Sequence, residues 1–122
     1  MATITDITTG LQTVSAAGAV TGTLDISGMS GDFTVKVRVA ALGAGKTAVI
    51  ALEDTVNAFT AAVQQAVVQV RGEIKPEAEK VFSFHKRDLP NFRLGTASAA
   101  CRLNVLSCTA TPGLKVHAWL ER

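Results

Sequence analysis

Gly45, Lys46 and Thr47 stand where a phosphate-binding loop carries its last Gly, its Lys and its hydroxyl. Such a loop wraps phosphate in backbone amides and reaches it with the Lys. The stretch Ala40-Ala41-Leu42-Gly43-Ala44-Gly45-Lys46-Thr47 opens on Ala40 rather than Gly, and no second strand ends in a metal-holding Asp. A glycine hairpin turn between two strands accounts for it better. Cys101 and Cys108 lie seven residues apart. On one continuous strand their Cα atoms would sit about 23 Å apart on opposite faces, beyond disulfide reach. Two free thiols imply folding in a reducing compartment such as cytoplasm. Neither Cys has a His beside it in sequence, so both read as small buried hydrophobes.

His85 and His117 are the only histidines, and no Cys/His cluster has metal-ligand spacing. Glu53 and Asp54 are adjacent, so on a strand they point to opposite faces and make a poor acid–base pair. Glu77 and Glu79, beside Lys75 and Lys80, read as a solvated turn. No Ser-His-Asp or nucleophile-elbow arrangement stands out. The expectation is a protein that is not an enzyme, with no catalytic residue, no cofactor and no metal.

Binding residues are easier to nominate. Trp119, the only Trp, shares the polar parity of the last strand with Lys115, His117 and Glu121. Facing outward, Trp119 and His117 would anchor a sugar ring or a partner protein, since interfaces favour Trp. Facing a second sheet instead, they would leave Leu114, Val116 and Leu120 for a subunit contact. Both readings stay open. Lys86, Arg87, Arg93 and Arg102 gather around Leu89-Pro90-Asn91 with Phe84 and Phe92 nearby, formally like a nucleic-acid surface. Asp88 interrupts the patch, Tyr is absent and aromatics are only 5%. Contact with an acidic protein neighbour is the more economical use, and nucleic acid is not an expected partner.

The elements that must position these residues follow from pattern. The chain has 122 residues, room for one domain. With 48% hydrophobic and 18% charged residues it is not a disordered chain. No apolar run approaches the roughly 20 residues of a membrane helix, and the start lacks signal-peptide features. So few charges would leave small and apolar surface in water, which favours an oligomer or a subunit of something larger. Net charge is −3 before Lys36 and +5 from Lys36 onward, for a total of +2, so an acidic leading segment could attract a basic body between subunits.

Residues 1–22 are rich in Thr, Ala and Gly and read as an extended N-terminal arm, with Thr3, Thr5, Thr8 and Thr9 as contact residues. Removing it should leave the body, residues 23–122, folded. Within the body, residues 23–26 form a short strand, closed by a turn cluster at 27–32. Phe33, Val35, Val37 and Val39 alternate with polar residues, as do Ala99, Cys101, Leu103 and Val105. Leu114, Val116, Ala118 and Leu120 repeat the pattern after a turn at Thr111-Pro112-Gly113. Period two marks strands buried on one face. Residues 47–71 show three- and four-residue apolar spacing, a helix signature. Their β-branched content favours two strands, 47–53 and 62–70, joined by a loop. Seven or eight strands at short spacing predict an all-β antiparallel β-sandwich, jelly-roll-like or immunoglobulin-like.

The Thr/Ala/Gly-rich arm, the strand-rich body and phrases such as Ala51-Leu52-Glu53-Asp54-Thr55-Val56-Asn57-Ala58-Phe59 and His117-Ala118-Trp119-Leu120-Glu121 give an overall style. It resembles the small β-sandwich structural proteins of tailed-phage virions, particularly capsid decoration (cement) proteins. The resemblance implies a virion protein without catalysis, assembled in the host cytoplasm, a homo-oligomer (several such proteins are trimers) bound to the major capsid protein or another virion protein. A head-completion or tail subunit is an alternative within that class, and a carbohydrate-binding β-sandwich module using Trp119 and His117 is an alternative outside it.

Overall fold

The structure, a computed structural model, describes residues 3–109 and 113–122. Its strands are β1 (Ile4–Asp6), β2 (Gln12–Val14), β3 (Gly18–Ala19), β4 (Leu24–Asp25), β5 (Thr34–Leu42), β6 (Thr47–Thr55), β7 (Val63–Arg71), β8 (Ile74–His85), β9 (Ala100–Cys108) and β10 (Leu114–Glu121). One 3₁₀ turn spans Lys86–Asp88. No helix among the described residues is long and apolar enough to cross a membrane. Of the turn expected at Thr111-Pro112-Gly113, Thr111 and Pro112 lie outside the described residues.

Every pairing is antiparallel. In the first sheet β1 and β2 both pair with β10, β10 pairs with β5, and β5 with β8; in the second β3 and β4 pair with β9, β9 with β6, and β6 with β7. With β1–β2 and β3–β4 each taken as one interrupted strand, the chain is a long hairpin folded at the β6–β7 loop. Its first strand pairs with its last, its second with its second-last, and so on inward. That nested order is the jelly roll, one of the two architectures the sequence leaves open.

Alternation does what it predicts. Val35, Val37 and Val39 of β5, Cys101, Leu103 and Val105 of β9, and Leu114, Val116, Ala118 and Leu120 of β10 are all buried in one core between the sheets. Residues 47–71 form two strands and no helix. Their helix-like spacing arises because the sheet is apolar on both sides here: Ile50, Leu52, Val68 and Val70 face the core, while Val49 and Val67 occupy the other parity.

Four expectations change. Residues 3–22 are not a separate arm: β1 and β2 pair with β10, β3 pairs with β9, and Ile7 and Val20 lie in the core. Gly22 (φ 119°) lets the chain pass residues 7–9, since a Cβ there would lie 2.5 Å from the Thr9 nitrogen. Deleting this segment would remove Ile7 and Val20 from the core, so residues 23–122 alone are expected to be less stable than the whole chain. Residues 75–80 are not a turn but half of β8, exposed on both faces at the sheet edge. The glycine-rich stretch is a turn, with Lys46 N–H donating to Gly43 O at 3.1 Å. It is not a hairpin, because it carries the chain from β5 in one sheet to β6 in the other.

The fourth change concerns the cysteines. Both lie on β9, but a β-bulge at Leu106 adds a residue between Val105, paired with Ile50, and Ser107, paired with Val49. The bulge resets parity, so Cys108 returns to the core side and packs against the core cluster. Both thiols are free, Cys101 buried and Cys108 half-buried. Burial, with help from the nearby Asp54 carboxylate, pushes the Cys101 thiol up to about 12. Thiolate is the reactive form, so native protein at pH 8 is expected to titrate one fast thiol, Cys108, with a chromogenic disulfide reagent. The second is expected only in denaturant. Two equally fast thiols would contradict the burial of Cys101.

Candidate functional site

The outward parity of the first sheet carries two of the nominated residues, His117 and Trp119. Because Leu114, Val116, Ala118 and Leu120 face the core, the intervening Lys115, His117, Trp119 and Glu121 face out. Trp119 therefore takes the outward reading. Register places Trp119 between Asp6 of β1 and Lys36 of β5, and His117 opposite Arg38. His117 Nε2 lies 2.9 Å from Asp6 Oδ1. The His117 and Trp119 rings are 4.9 Å apart and tilted by 40°. Trp119 Nε1–H donates to Glu121 Oε1 at 3.0 Å, and Lys36 Nζ lies 3.4 Å from Glu121 Oε2. The indole donor first, and Lys36 second, hold the Glu121 carboxyl below its ordinary range. Arg38 pairs with Glu79 across β5 and β8. The result is an aromatic pair flanked by the Lys36–Glu121 and Arg38–Glu79 ion pairs.

At the end of this face Lys86, Arg87, His85, Thr34, Glu121 and Arg122 border a groove of about 750 Å³. Thr34 Oγ1 lies 3.0 Å from His85 Nδ1, and His85 N–H donates to Asp88 Oδ2 at 2.9 Å. Lys86 and Arg87 are exposed there. The basic cluster read from sequence is otherwise dispersed, because its other two members are bound elsewhere.

Arg93 reaches Asp54, whose side chain is 0% exposed: Arg93 N–H and Nη2–H donate to its two oxygens at 2.9 and 2.8 Å. Gln65 Nε2–H adds a third donor at 2.8 Å. Arg102 Nε–H donates to Glu53 at 3.1 Å, and Asn104 Nδ2–H donates to the same carboxylate at 3.0 Å. The Arg102 guanidinium also lies 4.2 Å from the Phe59 ring centre, a cation–π contact. Glu53 and Asp54 thus point to opposite faces, as their adjacency requires, and each holds its own Arg. These two ion pairs escape a sequence reading, since their partners are 39 and 49 residues away.

The threonines divide. Thr8 is buried, accepting the Ala118 N–H at 3.1 Å and donating to Gly10 O at 2.9 Å. That role is internal. Thr3 is exposed and exchanges backbone hydrogen bonds with Arg122, Thr5 is half-buried opposite Leu120, and Thr9 is exposed, its N–H donating to Thr21 O. Thr3 and Thr9 remain accessible to a partner. No three His, Cys, Asp or Glu side chains converge as metal ligands among the described residues.

The β6–β7 connection is built on strain. Thr60 N–H donates to Asn57 O at 3.2 Å across Ala58 (φ 54°) and Phe59 (φ 63°). Two consecutive positive φ values make a type I′ turn, which favours Asn-Gly. Buried Thr55 holds it, its Oγ1 accepting the N–H groups of Asn57 and Phe59 at 3.2 Å each. An Ala in this region costs about 1–2 kcal/mol, partly offset by the unfolded-state entropy that Gly adds. Ala58→Gly is therefore expected to stabilise the protein by about 0.5–1 kcal/mol in urea unfolding. A loss of stability would contradict the turn geometry. No protein family, curated protein or solved structure matches this chain.

Proposed function

We propose that the chain is a non-enzymatic structural subunit of a phage virion that attaches to a capsid lattice as a decoration protein. The observation that carries the reading is the contrast between its polar and aliphatic side chains. Asp6, Glu53, Asp54, Glu79 and Glu121 are each paired within the chain, whereas Ile4, Leu11, Val63, Val67, Val81 and Leu106 stand in water. Five of the ten acidic residues are thus engaged within the chain, and the exposed aliphatics offer contact area. Jelly-roll order supports the same reading, since viral capsid domains use it. Lectins use it too, and a fold alone does not assign a function. Many weak contacts repeated by symmetry are how such a subunit would resist shell expansion.

The test is gradient sedimentation of particles from cells producing the chain together with phage structural proteins. The chain is expected to travel with shells. A chain left at the top of the gradient while shells sediment would overturn the proposal. A glycan array bound by the protein and lost in Trp119→Ala would replace it with the carbohydrate-binding module. That alternative draws on the outward Trp119–His117 pair, although Glu121 already occupies the indole donor.

A further inference from the structure

The two sheets end on the same side of the sandwich in strands that treat their open edges differently. β5 runs into β6, and β7 into β8, through tight turns that cross between sheets, so the edges β7 and β8 lie together. An unpaired edge presents free backbone donors and acceptors, and proteins blunt such edges with charge and Pro. β8 is blunted in this way, with Lys75, Pro76, Glu77, Glu79 and Lys80 in its first half. β7 carries neither: from Val63 to Val70 it reads Val-Gln-Gln-Ala-Val-Val-Gln-Val, eight residues without a charge or a Pro, and its one irregularity is a bulge at Gln65 against β6. Val63 is 47% exposed and Val67 45%. Among the described residues β7 pairs only with β6.

We infer that the β7 edge pairs with β7 of a second copy, antiparallel across a two-fold axis near Val67, joining two second sheets into one continuous sheet. The occupant is a second copy because the strand is compatible with itself. Self-pairing sets uncharged residues against uncharged residues, and backbone pairing supplies the affinity. Charge sets the direction. Arg71, at the C-terminal end of β7, would face its counterpart in a parallel pair. In the antiparallel pair the two Arg71 Cα atoms stand about 27 Å apart. The outward face of β7 then meets its copy at Val67, whose neighbour on β6 is the fully buried Ala51. A two-fold contact is closed, so it ends at a dimer rather than a fibre. This inference does not need the proposed function, because it concerns the chain alone in solution.

Sedimentation equilibrium of the full chain is expected to give twice 12.7 kDa. Val67→Lys, on an exposed site, is expected to halve that mass with unchanged circular dichroism. Gln69→Lys, on the same edge, should do the same and serves if Val67→Lys misfolds. Val81→Lys, on the blunted edge strand β8, should leave the doubled mass intact. A wild-type monomer at the highest soluble concentration, a wild-type trimer, or a dimer indifferent to both β7 variants would overturn the inference. So would a dimer dissociated equally by Val81→Lys.

Discussion

Arg93→Ala is expected to destabilise the protein by about 3 kcal/mol, the low end of the cost of stripping a partner from a buried ion pair. Asp54 is inaccessible to water, and its carboxylate is held by the guanidinium and backbone N–H of Arg93 and by Gln65. Removing the guanidinium leaves that carboxylate buried with only two neutral donors. The loop that carries Arg93 also loses an anchor to the sheet. Arg87, exposed beside the groove, is the control, and Arg87→Ala is expected to stay within about 0.5 kcal/mol of wild type. Urea unfolding of the three proteins at constant m value measures the difference. If Arg93→Ala and Arg87→Ala behaved alike, the buried pair would not be what holds the loop. Arg93 would then return to the list of partner-contact residues.

The second large effect lies in the core. Leu103 sits on β9, opposite Leu52, and is fully buried between the sheets. Leu103→Ala is expected to cost about 3–4 kcal/mol, the lost transfer energy plus a cavity that facing strands cannot easily close. Leu106 is three residues along the same strand, but as the bulged residue it is exposed. Leu106→Ala is expected to change stability by under about 0.5 kcal/mol. Thermal unfolding followed at a single far-ultraviolet wavelength separates the two variants. Equal losses would mean that the bulge, and with it the parity of Cys108, is misplaced.

These two leucines also mark how far the chain could be read before folding. Period-two alternation located β5, the first half of β9 and β10, because each buries one face and wets the other. It misjudged Cys108, since a bulge is one extra residue with no signature beyond the strand pattern it interrupts. Residues 3–22 escaped for a different reason. Their strands are two or three residues long, and the buried hydrophobic residues of the segment, Ile7 and Val20, each lie just past a strand end, too few for a period to show. The choice of jelly-roll over immunoglobulin-like order was out of reach, because pairing of β1 with β10 is a property of the whole chain. At the candidate site, the outward parity of His117 and Trp119 was legible as one of two options. The capture of Arg93 and Arg102 by Asp54 and Glu53 was not, as it depends on a loop meeting a strand from elsewhere in the chain.

The nested pairing order constrains how the protein can be made. Among the described residues β6 and β7 are the only consecutive strands that pair with each other. A nascent chain leaving the ribosome can close that hairpin and then β5 against β8. Its first four strands must wait, because β9 and β10 are their partners and are synthesised last. Until then Ile7, Val20 and the inner face of β5 are uncovered, so folding should be slow for the size of the chain and sensitive to holdase chaperones.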